Sequence, residues 1–363
     1  MSSVAANAGA APGALSAVSR GSPGFWASVW ARYSGQRLGM AGFAIVFAIL
    51  VVAFLAPILA NEHPLACRYQ GKIYAPALQE LTWSIPGMRQ LLPKAGPFGL
   101  VTFDFKRRME PERGDWAVWT PVRFGPLKTS TRTLEPPSRE HWLGTDEVGR
   151  DLLARMVYGA RVSMMVGFVS IGISTVLGLI VGSLAGYFGS WVDISVSRLI
   201  EVVICFPVFF LILTIMSWRE PSIWNVMIAI GLVSWTSPAR YVRGEFIRLR
   251  DMDFTSAATA LGVPNWRIIL RHILPNALAP VFVTVTFGIA GAILTEAGLS
   301  FLGFGVMPPQ PSWGNVLRTG FDNMFTSAHM IYPPCVMIFL SVLAWNLVGD
   351  SFRDAIDPRI ARS

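Results

Sequence analysis

Six apolar stretches divide the chain and predict six membrane-spanning helices. Most of them approach the roughly 20 residues that a helix needs to cross a bilayer, although the fourth and sixth are shorter. The predicted spans are Leu38 to Ala60, Val162 to Phe188, Val192 to Ser217, Ile223 to Ser237, Ala277 to Leu302 and Pro334 to Val348. Because the polar positions gather between these stretches, the pattern is typical of a polytopic, all-α membrane protein.

Glycines cluster in the second predicted span. Gly178 and Gly182 form a GxxxG pair, a spacing that lets two membrane helices approach closely. The other glycines of this span are Gly167, Gly172 and Gly186. Two interpretations stay open at this point, namely ordinary close packing and the wall of a conduit.

The segment between the fourth and fifth spans predicts two short amphipathic helices. The first apolar stripe, at i, i+3, i+4 and i+7, comprises Phe254, Ala257, Ala258 and Leu261. The second stripe comprises Trp266, Ile269, Leu270 and Ile273. Gly262 suits a left-handed turn, Pro264 suits the first turn of a helix, and Pro275 is expected to end the run. Two such helices on the charged side of a membrane predict a docking element for a cytoplasmic partner.

A second polar segment, residues 141–163, precedes the second span. Thr145 is expected to cap a helix that begins near Asp146, where acidic side chains favour the positive helix end. The apolar stripe of this helix is Leu152, Leu153, Met156 and Val157. Arg150, Arg155 and Arg161 are expected to reach water or lipid headgroups, so the segment predicts a helix lying along the membrane surface.

Residues 61–140 form a long insertion with a predicted hairpin turn at Gln70-Gly71-Lys72. The insertion is too long for an idle connector. It suits either a docking element for an extracytoplasmic partner or a flap that covers the helix ends.

The composition supports an integral membrane protein and sets its orientation. Hydrophobic residues make up 53% of the 363 residues, and charged residues only 14%. Arginines flank the spans on one face: Arg20, Arg32, Arg37, Arg240, Arg243, Arg248, Arg250, Arg267, Arg271, Arg353, Arg359 and Arg362. Both termini are therefore predicted to be cytoplasmic, and the net charge of +8 needs no nucleic-acid partner.

These features divide the chain into five segments. Residues 1–37 are expected to form a largely disordered tail, and residues 38–60 an uncleaved first span, because their apolar core is too long for an ordinary signal peptide. Residues 61–160 contain the insertion and the surface helix. Residues 161–349 form a five-helix core with a cytoplasmic loop at 240–275, and residues 350–363 form a second tail.

The sequence contains no motif that is typical of an enzyme active site. The three cysteines and four histidines are scattered, and no phosphate-binding loop is present. We therefore predict no catalytic, cofactor or metal residue. Glu201 and Glu296 are intramembrane acids and hence candidates for a transport pathway, and Glu201 also lies three residues from Arg198, which suits an ion pair on the same helix.

The loop at 240–275, hereafter the coupling loop, resembles the signature of bacterial ATP-binding-cassette (ABC) importer permeases. That signature is Glu-Ala-Ala, three residues, Gly, nine residues, Ile, any residue, Leu-Pro. The matching positions are Ala257, Ala258, Gly262, Leu274 and Pro275. Ser256 stands in place of the family's glutamate, and His272 in place of its isoleucine.

A second resemblance narrows the family to dipeptide and oligopeptide permeases. Their Leu-Gly-Thr-Asp-x-x-Gly-Arg-Asp signature is matched at every specified position by Leu143, Gly144, Thr145, Asp146, Gly149, Arg150 and Asp151. The segments Glu296 to Gly305 and Gly349 to Arg359 resemble two further motifs of this branch. Short fragments of the insertion, at 61–64, 71–74 and 114–116, resemble oligopeptide importers that also admit microcin C.

The resemblance implies a type I importer permease that forms half of a translocation pathway. Its expected partners are a second permease subunit, one or two ABC ATPase subunits that bind ATP and magnesium, a periplasmic solute-binding protein and the lipid of the bacterial inner membrane. The alternatives are a permease for nickel, dipeptides or another small solute, and a proton-coupled secondary transporter. A membrane-embedded hydrolase would need a nucleophile and a base paired within the spans, which the sequence lacks.

Overall fold

The structure is a computed structural model that describes residues 24–69, 72–77, 115–220 and 222–357. Most of these residues lie in helices. Within these residues, four helical segments are long and apolar enough to cross a membrane: 37–54, 152–188, 265–302 and 328–356. A bent pair of helices at 190–217 provides a fifth segment, and the apolar helix Ile223–Ser234 is shorter. The count of six spans therefore stays a prediction, whereas the helical membrane architecture is observed.

The described residues begin with a helix that the sequence did not predict. Helices α1 (Phe25–Ser34), α2 (Arg37–Phe54) and α3 (Ala56–Leu59) follow one another. The expectation of a largely disordered tail to residue 37 is wrong for α1, because Tyr33 is buried and donates a hydrogen bond to the carbonyl of Gly39 at 2.8 Å. Residues 1–23 of that tail lie outside the described residues. The first span ends at Phe54 and not at Ala60, since Pro57 has no N–H with which to continue the helix.

The insertion contains a small antiparallel sheet. Strands β1 (Ala66–Tyr69), β2 (Lys72–Tyr74) and β3 (Trp116–Val118) lie in the order β2-β1-β3. Tyr69 pairs with Lys72, so the predicted hairpin is confirmed, although Gln70 and Gly71 lie outside the described residues, as do residues 78–114. Burial, and then the charge of Asp115, raises the pKa of the Cys67 thiol on β1 to about 11, so this thiol stays protonated.

The second span is one unbroken helix, α4 (Leu152–Phe188), of 37 residues. The expected surface helix from residue 146 is wrong. Asp151 is the cap, because its carboxylate accepts a hydrogen bond from the backbone N–H of Ala154 at 2.7 Å. Residues 143–151, hereafter the signature loop, form turns instead.

The expected third span is broken into two helices. Helices α5 (Ser190–Ile204) and α6 (Val208–Ser217) meet at an angle of 79°. Pro207 lies at the break, where it removes a backbone donor and disfavours helical geometry at Phe206.

The fourth span and the coupling loop follow as a series of shorter helices. They are α7 (Ile223–Ser234), α8 (Thr236–Arg250), α9 (Asp253–Ala260) and α10 (Asn265–Arg267). A π-helical turn at Ile268–Ile273 then leads into α11 (Leu274–Leu302). The expectation that Pro275 ends the run is wrong, because the wider π-helical turn carries the chain past a proline that cannot donate to an α-helical ladder.

Two helices complete the chain, α12 (Trp313–Asp322) and α13 (Tyr332–Ile356). The predicted sixth span ended at Val348 and the tail began at residue 350, but α13 continues to Ile356. This extension is held by α1, since Arg32 donates to the carbonyl of Ala355 at 3.1 Å.

The glycines of α4 bring its backbone against α8. A Cβ added at Gly182 would lie 2.5 Å from the carbonyl oxygen of Ala239, and one at Gly186 would lie 2.5 Å from the Cβ of Phe246. One at Gly178 would lie 2.8 Å from the ring of Pro238. Close packing is therefore the role of these three glycines.

A methyl group at residue 182 tests this contact. We expect Gly182→Ala to lower the free energy of unfolding by about 1–3 kcal/mol, because the added carbon meets backbone atoms that cannot move aside. Thermal unfolding of the purified protein in detergent measures the effect. Gly172→Ala on the same helix is the control, since a Cβ there has no atom within 4 Å. Equal unfolding temperatures for the two variants would contradict the packing described.

Candidate functional site

The coupling loop leaves most of its first apolar stripe exposed. Of the four predicted residues only Ala258 is buried, and Thr255 lies beside it on the inward face of α9. Phe254 is 38% exposed and Leu261 is 83% exposed. The short helix therefore uses its small residues for packing and presents its large apolar residues outward.

Gly262 forms the turn that the sequence predicts. Its φ angle is +73°, and an added Cβ would meet nothing within 4 Å. The glycine is therefore required by backbone conformation and not by a lack of space. Pro264 precedes α10, in agreement with the predicted start of a second helix.

The second predicted stripe divides between two faces. Ile273 is fully buried, but Trp266 is 60% exposed and Leu270 is 56% exposed, while the buried Ile268 was not predicted. The reason is the π-helical turn, which has more residues per turn than an α-helix and so changes which positions share a face. At the end of the signature, Leu274 is half-buried and Pro275 is exposed.

Polar contacts fasten the coupling loop to the membrane helices. The hydroxyl of Tyr187 on α4 donates to Oδ1 of Asn265 at 2.9 Å. Arg250 donates to the carbonyl of Tyr187 at 3.3 Å, and Arg243 forms a two-point ion pair with Asp193 on α5. The loop is thus bonded to the membrane helices both before and after Gly262.

A cavity of about 790 Å³ lies between α4, α7, α8, α11 and α13. Among the described residues, seven hydroxyl side chains line it: Ser174, Thr175, Ser234, Ser237, Tyr241, Thr284 and Thr295. The charged residues that line it are Glu245, Arg353 and Asp357, which lie near the ends of α8 and α13. Its membrane part therefore offers neutral hydrogen-bonding groups beside apolar surface.

Neither predicted pathway acid lines this cavity. The side chain of Glu201 is 59% exposed and accepts a hydrogen bond from Arg198 at 2.7 Å, which is the ion pair suggested by their spacing. Glu296 is fully buried. A pathway role for either acid stays a prediction.

Glu296 is enclosed by hydroxyl donors. Its two carboxylate oxygens accept hydrogen bonds from Ser163 at 3.1 Å and from Ser300 at 2.7 Å. Each serine oxygen also accepts a backbone N–H, from Trp313 and Val306 respectively, so each hydroxyl proton is directed at the carboxylate. The carboxylate thereby joins α4, α11 and the segment before α12.

The signature loop is built around two buried carboxylates. Asp146 binds Nε of Arg150 at 2.7 Å and lies 3.6 Å from Nε of Arg155, and Asp151 lies 2.8 Å from Nδ1 of His141. The expectation that Arg150 and Arg155 reach water is wrong, because Arg155 is 1% and Arg150 8% exposed beside Asp146, whereas Arg161 is half-buried.

The remaining signature positions shape the turns of this loop. Gly144 and Gly149 have φ angles of +85° and +76°. Thr145 is no helix cap, because its hydroxyl donates to the carbonyl of Arg132 at 2.7 Å and accepts from the N–H of Glu135. Leu143 is half-buried and packs against the main core. The signature is therefore a folded loop in which the glycines allow left-handed turns.

Comparison with known proteins identifies the family. Residues 178–362 match the family described as the binding-protein-dependent transport system inner membrane component. The chain belongs to this family. Residues 24–76 also match the N-terminal transmembrane domain of oligopeptide transport permease C. The permease is accordingly a multi-pass protein of the inner membrane.

Individual relatives extend the match to nearly the whole permease. The inner membrane ABC transporter permease protein YejE of Escherichia coli is 36% identical over 337 residues, covering 92% of this chain and 96% of that protein. The peptidoglycan transport system permease protein YejE of Agrobacterium fabrum is 30% identical and covers 91% and 92%. The dipeptide transport system permease protein DppC of Alkalihalophilus pseudofirmus is 41% identical over 65% of this chain and 81% of its own length.

Sequence patterns did not predict several residues that organise the permease. Tyr187 and Asn265 are 78 positions apart, and Ser163 and Glu296 are 133 positions apart. Such pairs carry no periodic signal, so only the folded structure brings them together.

Replacing Glu296 with glutamine tests its place in the permease. Each carboxylate oxygen of Glu296 accepts a hydrogen bond from one serine hydroxyl. In the glutamine variant, the amide NH₂ replaces one of these oxygens, so one buried serine hydroxyl loses its acceptor. The expected loss in the free energy of unfolding is about 1–3 kcal/mol. We expect a lower thermal unfolding temperature for Glu296→Gln. Glu201→Gln is the control, because an exposed ion pair contributes only about 0–1 kcal/mol. A larger loss in the control would contradict this assignment.

Proposed function

We propose that this permease is one of two membrane subunits of an ATP-driven importer of oligopeptides or peptide-like compounds. The observation that carries the proposal is the exposed apolar surface of the coupling loop, formed by Phe254, Leu261, Trp266 and Leu270. Large apolar side chains on a polar loop favour a protein partner over water. The names of the dipeptide and oligopeptide permeases that match the chain support a peptide cargo.

The partner at this surface is an ABC ATPase subunit, which binds ATP and magnesium. The resemblance of the loop to the importer signature supports this choice, and the sequence contains no phosphate-binding loop of its own. One or two such ATPase subunits supply the energy. The permease itself is not an enzyme in this proposal.

The cavity is this subunit's half of the translocation pathway. Its hydroxyl lining suits the N–H and C=O groups of a peptide backbone, which need neutral partners when they leave water. The Oγ1 atom of Thr175 is buried and has no hydrogen-bond partner among the described residues. A second permease subunit completes the pathway in a heterodimer within the lipid bilayer.

The remaining parts of the assembly follow from orientation. With the coupling loop and both termini in the cytoplasm, the insertion and the signature loop face the periplasm, where a solute-binding protein delivers cargo. The match of the two YejE proteins over more than nine-tenths of this chain supports the branch with a long insertion. Microcin C-like compounds are the narrower cargo that the sequence fragments suggest.

A proton-coupled secondary transporter is the less favoured function. A proton relay needs acids or histidines in the membrane part of the pathway, where Glu296 is enclosed by serines and Glu201 pairs with Arg198. Glu245 and Asp357 line the cavity only near the ends of α8 and α13, and Glu245 pairs with Arg248. Nickel or another small solute remains the alternative cargo, and peptide is favoured by the neutral hydroxyls of the cavity.

Leu261→Glu tests the docking surface. The glutamate is placed at a residue that is 83% exposed, so it does not disturb packing within the permease. We expect the amount of ATPase that co-purifies with the permease to fall at least tenfold. A loss of about 1.4 kcal/mol in binding free energy weakens binding by one factor of ten. Co-purification from membranes, followed by assays of ATP-dependent peptide uptake, measures this loss.

Leu127→Glu provides a matched control, since Leu127 is 52% exposed and lies outside the coupling loop. This variant is expected to retain the ATPase subunits and uptake. Full retention of the ATPase by Leu261→Glu would contradict the proposed function.

A further inference from the structure

The end of α4 contacts both halves of the coupling loop. Arg250, at the end of α8, donates to the carbonyls of Gly186 and Tyr187 at 3.5 and 3.3 Å, where the helix has no further amides to offer them. Beyond Gly262, Asn265 accepts the hydroxyl of Tyr187. One helix end is therefore joined to the chain before and after α9.

Apolar packing supports the same connection. The buried residues beneath the loop form one cluster, comprising Val242, Phe246, Leu249, Ala258, Ile268, Ile273, Ala277 and Val281. Leu179 and Tyr187 of α4 pack against this cluster. The glycines of α4 also lie against the backbone of α8. The loop therefore cannot move without displacing α4, because the two are in direct contact.

The opposite end of α4 is joined to the signature loop. Asp151 caps the helix and contacts His141. Four residues further along, Arg155 lies 3.6 Å from Asp146 and donates to Asn315 of α12 at 3.4 Å. A helix of 37 residues, about 55 Å long, thus connects the coupling loop with the signature loop.

The connection from the coupling loop to α11 is less regular than its contact with α4. It passes through the π-helical turn Ile268–Ile273 and then Pro275. Turns of this type interrupt regular α-helical bonding and occur frequently at functional sites. This side of the loop accommodates a change of register more easily than the contact with α4.

We infer that α4 transmits movement of the coupling loop to the signature loop, and that the Tyr187–Asn265 hydrogen bond is a positioning contact of this transmission. The inference rests on the proposed function, because the movement originates in ATPase subunits bound at the loop. Neither Tyr187 nor Asn265 lines the cavity. They fix the orientation of α10 on the end of α4.

Two substitutions that remove the Tyr187–Asn265 hydrogen bond test this inference in the complete importer reconstituted in liposomes. Tyr187→Phe and Asn265→Leu are each expected to retain the ATPase subunits but to lower peptide uptake per ATP hydrolysed by about twofold to tenfold, the range for one hydrogen bond. Asn265→Asp keeps the acceptor oxygen and should restore most of the ratio. A purely structural role would lower the yield of complex and leave this ratio unchanged.

Tyr332→Phe is the matched control, because Tyr332 is 69% exposed and lies at the start of α13, away from the loop. Its uptake per ATP should equal that of the unmodified chain. An unchanged ratio in both Tyr187→Phe and Asn265→Leu would overturn this inference alone. Absence of any ATPase from the unmodified complex would overturn the proposed function and, with it, this inference.

Discussion

Backbone contact between α4 and α8 is the constraint on which the rest of the structure depends. The two helices approach so closely at Gly178, Gly182 and Gly186 that no side chain fits between them. In a bilayer, where apolar side chains gain little by leaving lipid for protein, such close packing is a main source of helix association. Because α8 leads directly into the coupling loop, the same contact fixes where that loop lies.

Buried polar groups complete the arrangement at the other end of the bundle. Glu296 and its serines join α4 and α11, and Asp146 with Arg155 joins α4 to the signature loop. A buried polar or charged group is tolerated only when hydrogen-bond partners or counter-charges surround it. These acids therefore stabilise contacts within the protein. The polar groups in the membrane part of the cavity are neutral hydroxyls, and its charged lining residues lie near the ends of α8 and α13.

The sequence predicted the features that depend on local patterns. Hydrophobic runs located the spans, and Gly262 marked a turn that only its positive φ angle explains. Local patterns could not decide between equivalent candidates. Thr145 and Asp151 are both good helix caps, and Asp151 is used because the hydroxyl of Thr145 is bonded to the carbonyl of Arg132 and the N–H of Glu135. The π-helical turn was likewise invisible to a pattern that assumes α-helical spacing.

The helices α4 and α8, which hold the coupling loop, also line the cavity. Access to the cavity therefore tests most directly whether movement of the loop reaches the pathway. Thr284→Cys places a thiol in the cavity wall, in a chain whose exposed Cys205 and Cys335 are replaced by alanine. The measurement is the labelling rate by a water-soluble maleimide applied from the cytoplasmic side of the full importer. The account predicts rapid labelling without nucleotide and strong protection when ATP is bound but not hydrolysed. An identical rate in the two states would contradict it.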